Sequence, residues 1–164
     1  MFKKLLFAVL FLLVAVPVYA TDAVTWAMVS QGTNWVCISA DILADGSGNV
    51  ASPTVTNNLP DNLFSEECWV LARAAFVPDG GATAPDPLYD ITLLDSTTST
   101  DILGGLGGNL SQTVSTHDFP VTVTNGGPQY VFSLPVAAGS GYAADNASTV
   151  YLWMVRVNKV TVAR

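Results

Sequence analysis

Few side chains in this sequence could carry out acid–base or nucleophilic chemistry. His117 is the only histidine, and its neighbour Asp118 would point elsewhere on a strand or turn. A Ser-His-Asp site would need a serine brought close by the fold, and no G-x-S-x-G elbow marks one. His117 lies in the polar run SQTVSTHDF, which is typical of a solvated loop. We therefore predict that the protein is not an enzyme.

Carboxylates are more numerous, but their placement favours structural roles. Most of the thirteen acidic residues lie in turn sequences, where Asp hydrogen-bonds its own backbone. The segment DGSGNV, residues 45–50, offers alternating oxygens to Ca²⁺, yet the further ligands and distal Glu of a calcium loop are absent. Gly46 and Gly48 instead suit a tight hairpin turn. We expect no cofactor and no metal.

A glycine-rich apolar segment, DILGGLGGN, follows the strand-like sequence YDITLLD. It lacks the Lys and the following helix of a phosphate-binding loop. Its leucines fall near helical spacing, but each glycine would cost ~1 kcal/mol in a helix. Glycine instead permits close backbone approach, so we expect the segment to cover the end of its own domain or to contact a neighbouring subunit. The candidate interface loop comprises Ile102, Leu103, Gly104, Gly105, Leu106, Gly107 and Gly108.

The N-terminus has the three-part layout of a secretory signal peptide. Lys3 and Lys4 precede an unbroken apolar run over residues 5–16, and small residues lead to a cut after Ala20. Twelve helical residues rise only ~18 Å, short of the ~30 Å hydrocarbon core, so a retained anchor is the less favoured alternative. We predict export to the periplasm, cell surface or medium, with no stable membrane span after cleavage. The predicted organisation is a signal peptide, residues 1–20, and a single domain, residues 21–164.

The charge of the mature chain disfavours one class of partner. Cleavage leaves four basic residues against thirteen acidic ones, so the net charge is about −9. Such a surface repels phosphate backbones, and we therefore expect no binding to nucleic acid. Solubility is sufficient to explain the acidity.

The two cysteines of the chain are Cys37 and Cys68. In an exported protein such a pair first indicates a disulfide, which the chain-entropy model values at about 3.5–4 kcal/mol for this loop length. Two buried thiols are the alternative. A metal site is disfavoured because there is one histidine and no C-x-x-C spacing.

Short β-branched and aromatic runs, separated by Gly, Pro, Asn and Asp, dominate the rest of the sequence. This pattern predicts an all-β fold, a single antiparallel β-sandwich of about eight strands, jelly-roll-like or immunoglobulin-like. In residues 89–94, the side chains of Tyr89, Ile91 and Leu93 share one face, so this strand is predicted to be half buried. The candidate strands are residues 24–30, 35–43, 50–56, 69–77, 89–94, 119–124, 130–134 and 149–162.

The last candidate strand, residues 149–162, contains the sequence TVYLWMVRV, which is apolar on both faces. One face carries Val150, Leu152 and Met154, and the other carries Tyr151, Trp153, Val155 and Val157. A strand of this kind is central in its sheet, or it has a subunit covering its outer face. A core position is the favoured interpretation.

Several segments resemble, in their order, a family of small tailed-bacteriophage proteins. The resemblance covers about residues 41–156 and rests on DGSGNV, VPDGGATAPDPLYDITLLD, DILGGLGGNLSQT, FPVTVTNGG and TVYLWMVRV. Members of that family are virion structural or uncharacterised proteins. The resemblance implies a tail or head accessory component that forms a homo-oligomer, or joins other structural subunits, through its sheet edges and the glycine-rich loop.

The export signal and the cysteine pair favour a second hypothesis, since members of the phage family usually lack both. On this hypothesis the protein is a secreted or surface-attached bacterial β-sandwich that binds a glycan or protein partner, or forms a polymer. Glycan binding would require exposed tryptophan, but all four tryptophans lie in candidate strands, where a core position is expected. These residues are Trp26, Trp35, Trp69 and Trp153.

Overall fold

The computed structural model describes residues 21–64, 68–119 and 129–157, and this part of the chain is all-β. The predicted signal peptide lies outside the described residues. Within the described ranges, no helix has the length and apolarity needed to cross a bilayer. The strands are β1 (Ala23–Gln31), β2 (Trp35–Leu43), β3 (Thr54–Asn58), β4 (Cys68–Pro78), β5 (Asp90–Asp95), β6 (Ser115–Asp118), β7 (Gln129–Val131), β8 (Pro135–Ser140) and β9 (Ala147–Val157).

Seven strands form one mixed sheet in the order β3-β1-β2-β9-β4, with β6 and β7 both paired to the far edge of β4. All pairs are antiparallel except β1 with β3, which is parallel. The expectation of a wholly antiparallel arrangement is therefore wrong. The connection from β2 to β3 stays at the end of the sheet where β1 begins, so β3 must run in the direction of β1. Asp22 fixes this turn, because its carboxylate accepts hydrogen bonds from the main-chain N–H groups of Ala51 and Ser52.

A second, two-stranded sheet of β5 and β8 contributes to the same hydrophobic core as the large sheet. In β5, Ile91 and Leu93 are buried while Leu94 is exposed, which confirms the predicted half-buried strand. The core includes, from the large sheet, Val24, Trp26, Ile38, Ile42, Leu71, Phe76, Val150, Leu152 and Met154. From the covering layer it includes Tyr89, Ile91, Leu93, Ile102, Leu103, Leu110 and Ala137.

No disulfide joins Cys37 and Cys68, and both thiols are buried. Cys37 is opposite Trp153 on β9, and Cys68 is opposite Val157 on the other side of the same strand. Four residues along β9 and two strand spacings put the two Cα atoms roughly 16 Å apart. A disulfide requires less than about 7 Å. The register of the central strand therefore overturns the predicted bond, and burial raises the pKa of the Cys37 thiol.

Candidate functional site

The motif segment, which we define as residues 89–109, is held in place by its own aspartates. Asp95 at the end of β5 is fully buried. Its Oδ1 accepts main-chain hydrogen bonds from Thr97 and Thr98 at 3.0 and 2.9 Å, and its Oδ2 accepts them from Phe132 and Ser133 at 2.6 and 2.9 Å. Burial alone would raise the pKa of Asp95, but these four donors outweigh it and hold the pKa below its ordinary value. Asp95 thus joins the turn after β5 to the chain that follows β7.

The other two aspartates of the motif segment bind main-chain groups in the same way. Asp101 accepts N–H hydrogen bonds from Leu103 and Gly105 at 3.0 and 2.8 Å. Asp90 accepts one from the main chain of Asn109 at 2.6 Å. A carboxylate that accepts such bonds stabilises the loop around it. These three acids therefore act as structural acceptors within the motif segment.

The candidate interface loop contributes mainly to its own core. Ile102 and Leu103 are fully buried, and the main chain of Gly107 bonds the N–H of Ile91 at 2.8 Å. A Cβ on Gly107 would overlap the carbonyl oxygen of Ile91, so glycine is needed here for close approach. Gly105, with φ of 82°, supplies a turn. Leu106 is 41 % exposed, so it is the large apolar side chain of this loop that a neighbouring subunit could contact.

His117 lies on the edge strand β6, and it is half buried rather than in a solvated loop. Its Nε2 is 3.1 Å from the hydroxyl of Ser115, and its ring packs edge-on against Phe76. The adjacent Asp118 faces the opposite side of the sheet, where it pairs with Arg73 at 2.6 Å. The structure therefore brings a serine to His117 but directs the neighbouring carboxylate away from the ring.

The DGSGNV sequence forms a turn, but the prediction that this turn closes a hairpin is wrong. The carboxylate of Asp45 accepts hydrogen bonds from the main chain of Ser47 and Asn49 at 2.7 and 2.9 Å, and Gly48 has φ of 77°. The strands on either side, β2 and β3, are not neighbours in the sheet, so the turn does not close a hairpin. Within the described part of the chain, no group of three or more His, Cys, Asp and Glu residues could hold a metal ion.

The large sheet has a second face, turned away from the β5–β8 layer, that sequence reasoning did not single out. Directly paired residues project on the same side of a sheet. Trp35 is opposite Val155, Val155 is opposite Val70, and Val70 is opposite Tyr130. These four side chains form one row across β2, β9, β4 and β7. Trp153 and Tyr151 lie on the same face of β9, with ring centroids 6.1 Å apart.

We define the outer patch as the partly exposed large apolar residues of this face. Tyr130 and Trp35 are each 43 % exposed, and Phe132 stacks on Tyr130 with a centroid distance of 5.9 Å. The exposure of Trp35 contradicts the expectation that all four tryptophans are in the core, whereas Trp26 and Trp69 are buried as expected. The outer patch comprises Trp35, Tyr130, Phe132, Tyr151, Trp153 and Val155.

Comparison with known proteins adds no family assignment: no family model, no curated protein and no solved structure matches this chain.

Proposed function

We propose that this protein is a non-enzymatic structural or assembly subunit, similar to an accessory component of a phage tail or head. One observation carries the proposal: the aspartates of the motif segment bind the main chain of their own fold. Asp90, Asp95 and Asp101 all accept such bonds. The motif segment, which carries part of the phage resemblance, is thus held by hydrogen bonds to its own main chain.

The architecture suits a subunit of this kind. Two sheets share one core, and the proposed form is a sandwich, jelly-roll-like or immunoglobulin-like, made by the mature chain from residue 21. The outer patch gives it an apolar surface in addition to that core, as a protein that packs against other subunits requires. The signal-peptide layout of the N-terminal sequence is a departure from the phage family, and it favours the second candidate function below.

Particle purification tests the proposed function. Virions from the host that carries the gene are separated on a density gradient, and peptides from residues 89–109 are followed by mass spectrometry. We expect the protein to rise and fall with the particle peak in a fixed ratio to the major capsid protein. Recovery from the periplasm or medium alone, with none in the particle peak, would contradict the proposal. A secreted host protein of similar size serves as the control for contamination.

A second candidate function is glycan binding by a secreted protein, and the exposure of Trp35 favours it. A cavity of about 220 Å³ lies beside this ring, and its lining includes Gln31, Asn62, Trp69 and Arg156. Indole rings and amide groups are suited to stack on and hydrogen-bond a sugar. A glycan array with the mature protein and its Trp35→Ala variant tests this function. Binding that the variant loses supports it, and an array without any binding excludes it for the sugars displayed.

A further inference from the structure

We infer that two copies of this chain associate face to face through the outer patch. The inference rests on the proposed assembly function and deepens it by assigning the surface and the partner. The resemblance implies contacts through sheet edges and the glycine-rich loop, so the outer patch is a different surface.

The first argument is the composition of the patch. Five of its six residues are aromatic, and Val155 lies in the middle of the row that runs from Trp35 to Tyr130. Aromatic residues are enriched, and charged residues depleted, at the centres of protein interfaces. On a sheet face of this kind, the aromatic side chains of a second sheet can pack in the same way as those of a core.

The second argument is charge, because the sequence has a net charge of −7 and two copies repel each other over most of their surface. Within the described strands, the charged side chains on the outer face are Asp41, Arg73 and Asp118. Arg73 and Asp118 neutralise each other at 2.6 Å, which leaves one negative charge. Two acidic copies can therefore approach through this face at little electrostatic cost.

The Arg73–Asp118 pair also provides complementarity between copies. The two side chains are 51 % and 70 % exposed, in the same row as Trp153, which is directly opposite Arg73. A twofold axis that runs across the strands and through the patch would bring Arg73 of each copy near the same edge of the other, and the interface would then be isologous. The guanidinium of one copy can then share the carboxylate of its neighbour.

The size of the patch indicates a dimer that dissociates on dilution. The row from Trp35 to Tyr130 crosses four strands that lie about 4.8 Å apart, but smaller residues of the same face, such as Cys37 and Val70, are already buried. The patch alone therefore does not reach the ~1,000 Å² expected of a stable interface, and we expect a weak, concentration-dependent dimer.

A second copy fits the patch better than a glycan does. The six residues of the patch carry no carboxylate and no amide, and their polar atoms are indole N–H and phenol groups. Gln31 and Asn62 supply amides to the cavity beside Trp35, but the lining of that cavity includes none of the other five patch residues. The aromatic and aliphatic side chains instead match an identical apolar surface.

Sedimentation-velocity ultracentrifugation of the full mature chain over a concentration series tests the inference. The test variant is Val155→Glu, which places a charge in the centre of the patch. Val114→Glu is the matched control, since Val114 is 64 % exposed and lies outside both the patch and the candidate interface loop. Leu106→Glu tests the loop as the competing interface. Trp35→Ser is a second patch variant at an exposed position, in case Val155→Glu does not fold, and far-UV circular dichroism checks each fold.

We expect the wild-type chain and Val114→Glu to dimerise, and the patch variants to dissociate with a Kd raised about tenfold or more, because burial of an unpaired charge or loss of an aromatic anchor weakens an interface. Dimers that survive the patch substitutions overturn the inference, and dissociation by Leu106→Glu alone assigns the contact to the loop. A wild-type chain that stays monomeric at all concentrations also overturns it. In each case the proposed function stands or falls separately, on recovery of the protein in particles.

Discussion

The two faces of β9 are both apolar, but they differ in how deeply they are buried. Val150, Leu152 and Met154 are fully buried beneath the β5–β8 layer, whereas Tyr151 and Trp153 on the opposite face stay partly exposed. Burial against its own chain explains the hydrophobicity of the inner face. The outer face retains apolar surface that folding of the described part of the chain does not fully bury, so we expect the inner face to determine stability and the outer face to determine association.

The largest expected effect comes from detaching the layer that covers the inner face. In Asp95→Asn, one carboxylate oxygen becomes an amide N–H that faces main-chain donors. We expect a loss of roughly 3 kcal/mol in the free energy of unfolding, because several charge-assisted hydrogen bonds fail together. Urea unfolding at neutral pH measures the loss, and Asp86→Asn at an exposed loop position is the control.

The same carboxylate gives a pH dependence with a defined sign. The pKa of Asp95 is lowered in the folded state from its ordinary value of 3.8. Its contribution is therefore complete above that value and is lost as the pH falls through the folded pKa. The stability difference between the wild type and Asp95→Asn should shrink on acidification. A difference that is constant from neutral to strongly acidic pH contradicts the assigned role.

A matched pair of valines on β9 compares the two faces directly. Val150→Ala removes fully buried methyl groups from the inner face and should cost about 2.5 kcal/mol. Val155→Ala removes the same groups from the partly exposed outer face and should cost less than about 1 kcal/mol. Both values come from denaturant unfolding at a protein concentration low enough to favour the monomer. Equal losses would mean that the outer face is buried as deeply as the inner one.

The next largest loss of stability is expected from a substitution at Gly107, in the layer that covers the inner face. Gly107→Ala places a Cβ against the carbonyl of Ile91, so the loop must shift, at about 2 kcal/mol. Gly80→Ala is the control, because a Cβ there meets nothing within 4 Å. Thermal unfolding of the two variants should show a clearly lower Tm for Gly107→Ala alone. A similar Tm for both variants would mean that the close approach at Gly107 is not required.

Among the substitutions, those of two buried tyrosines in the covering layer should give the smallest effects. The Tyr142 hydroxyl bonds Ser148 at 2.8 Å, so Tyr142→Phe leaves a buried serine unsatisfied and should cost about 1 kcal/mol. The Tyr89 hydroxyl has no partner within the described part of the chain, and burial raises its pKa to about 12. Tyr89→Phe should therefore be neutral or slightly stabilising in denaturant unfolding. A loss in Tyr89→Phe as large as that in Tyr142→Phe would show that its hydroxyl has a partner.

A reducing agent should have no effect on the stability of the fold. Because the register of β9 separates Cys37 from Cys68, reductant should leave the Tm unchanged. Alkylation of the denatured mature chain without reductant should modify both thiols, which intact mass spectrometry detects. A mass that shows no alkylation, together with a Tm that falls under reduction, would restore the disulfide that the sequence predicted.

Sequence reasoning predicted strands where apolar residues alternate or run together. β2 was predicted with its observed bounds, and β1, β4 and β5 to within one residue. It missed β8, whose sequence PVAAGS is small and glycine-containing, and β6, whose polar STHD lies on an edge without an apolar period. β3 is shifted towards polar residues that are all exposed. The candidate strand at 119–124 falls mostly outside the described residues.

The separation of the two cysteines and the exposure of the outer patch could not be predicted from the sequence, and for the same reason. Alternation along TVYLWMVRV shows which side chains share a face, but it does not show which face the second layer covers. Likewise, the spacing of Cys37 and Cys68 does not reveal that they are opposite Trp153 and Val157. Both depend on the register between distant strands. The aspartates of the motif segment were recognisable as turn residues. The hydrogen bond that Asp95 accepts from the main chain of Phe132 could not be predicted.

The central position of β9 also determines when the fold can form. This strand pairs with both β2 and β4, yet it comes after all the other described strands along the chain. During synthesis, the β1–β2 pair and the β4 region therefore emerge without the strand that joins them. Pairing β2 with β9 closes a loop of more than a hundred residues. The entropy lost in closing that loop precedes the free energy gained from strand pairing, so folding is slow. The large sheet consequently stays incomplete until β9 has been made, a state in which a polypeptide can be threaded through a narrow channel.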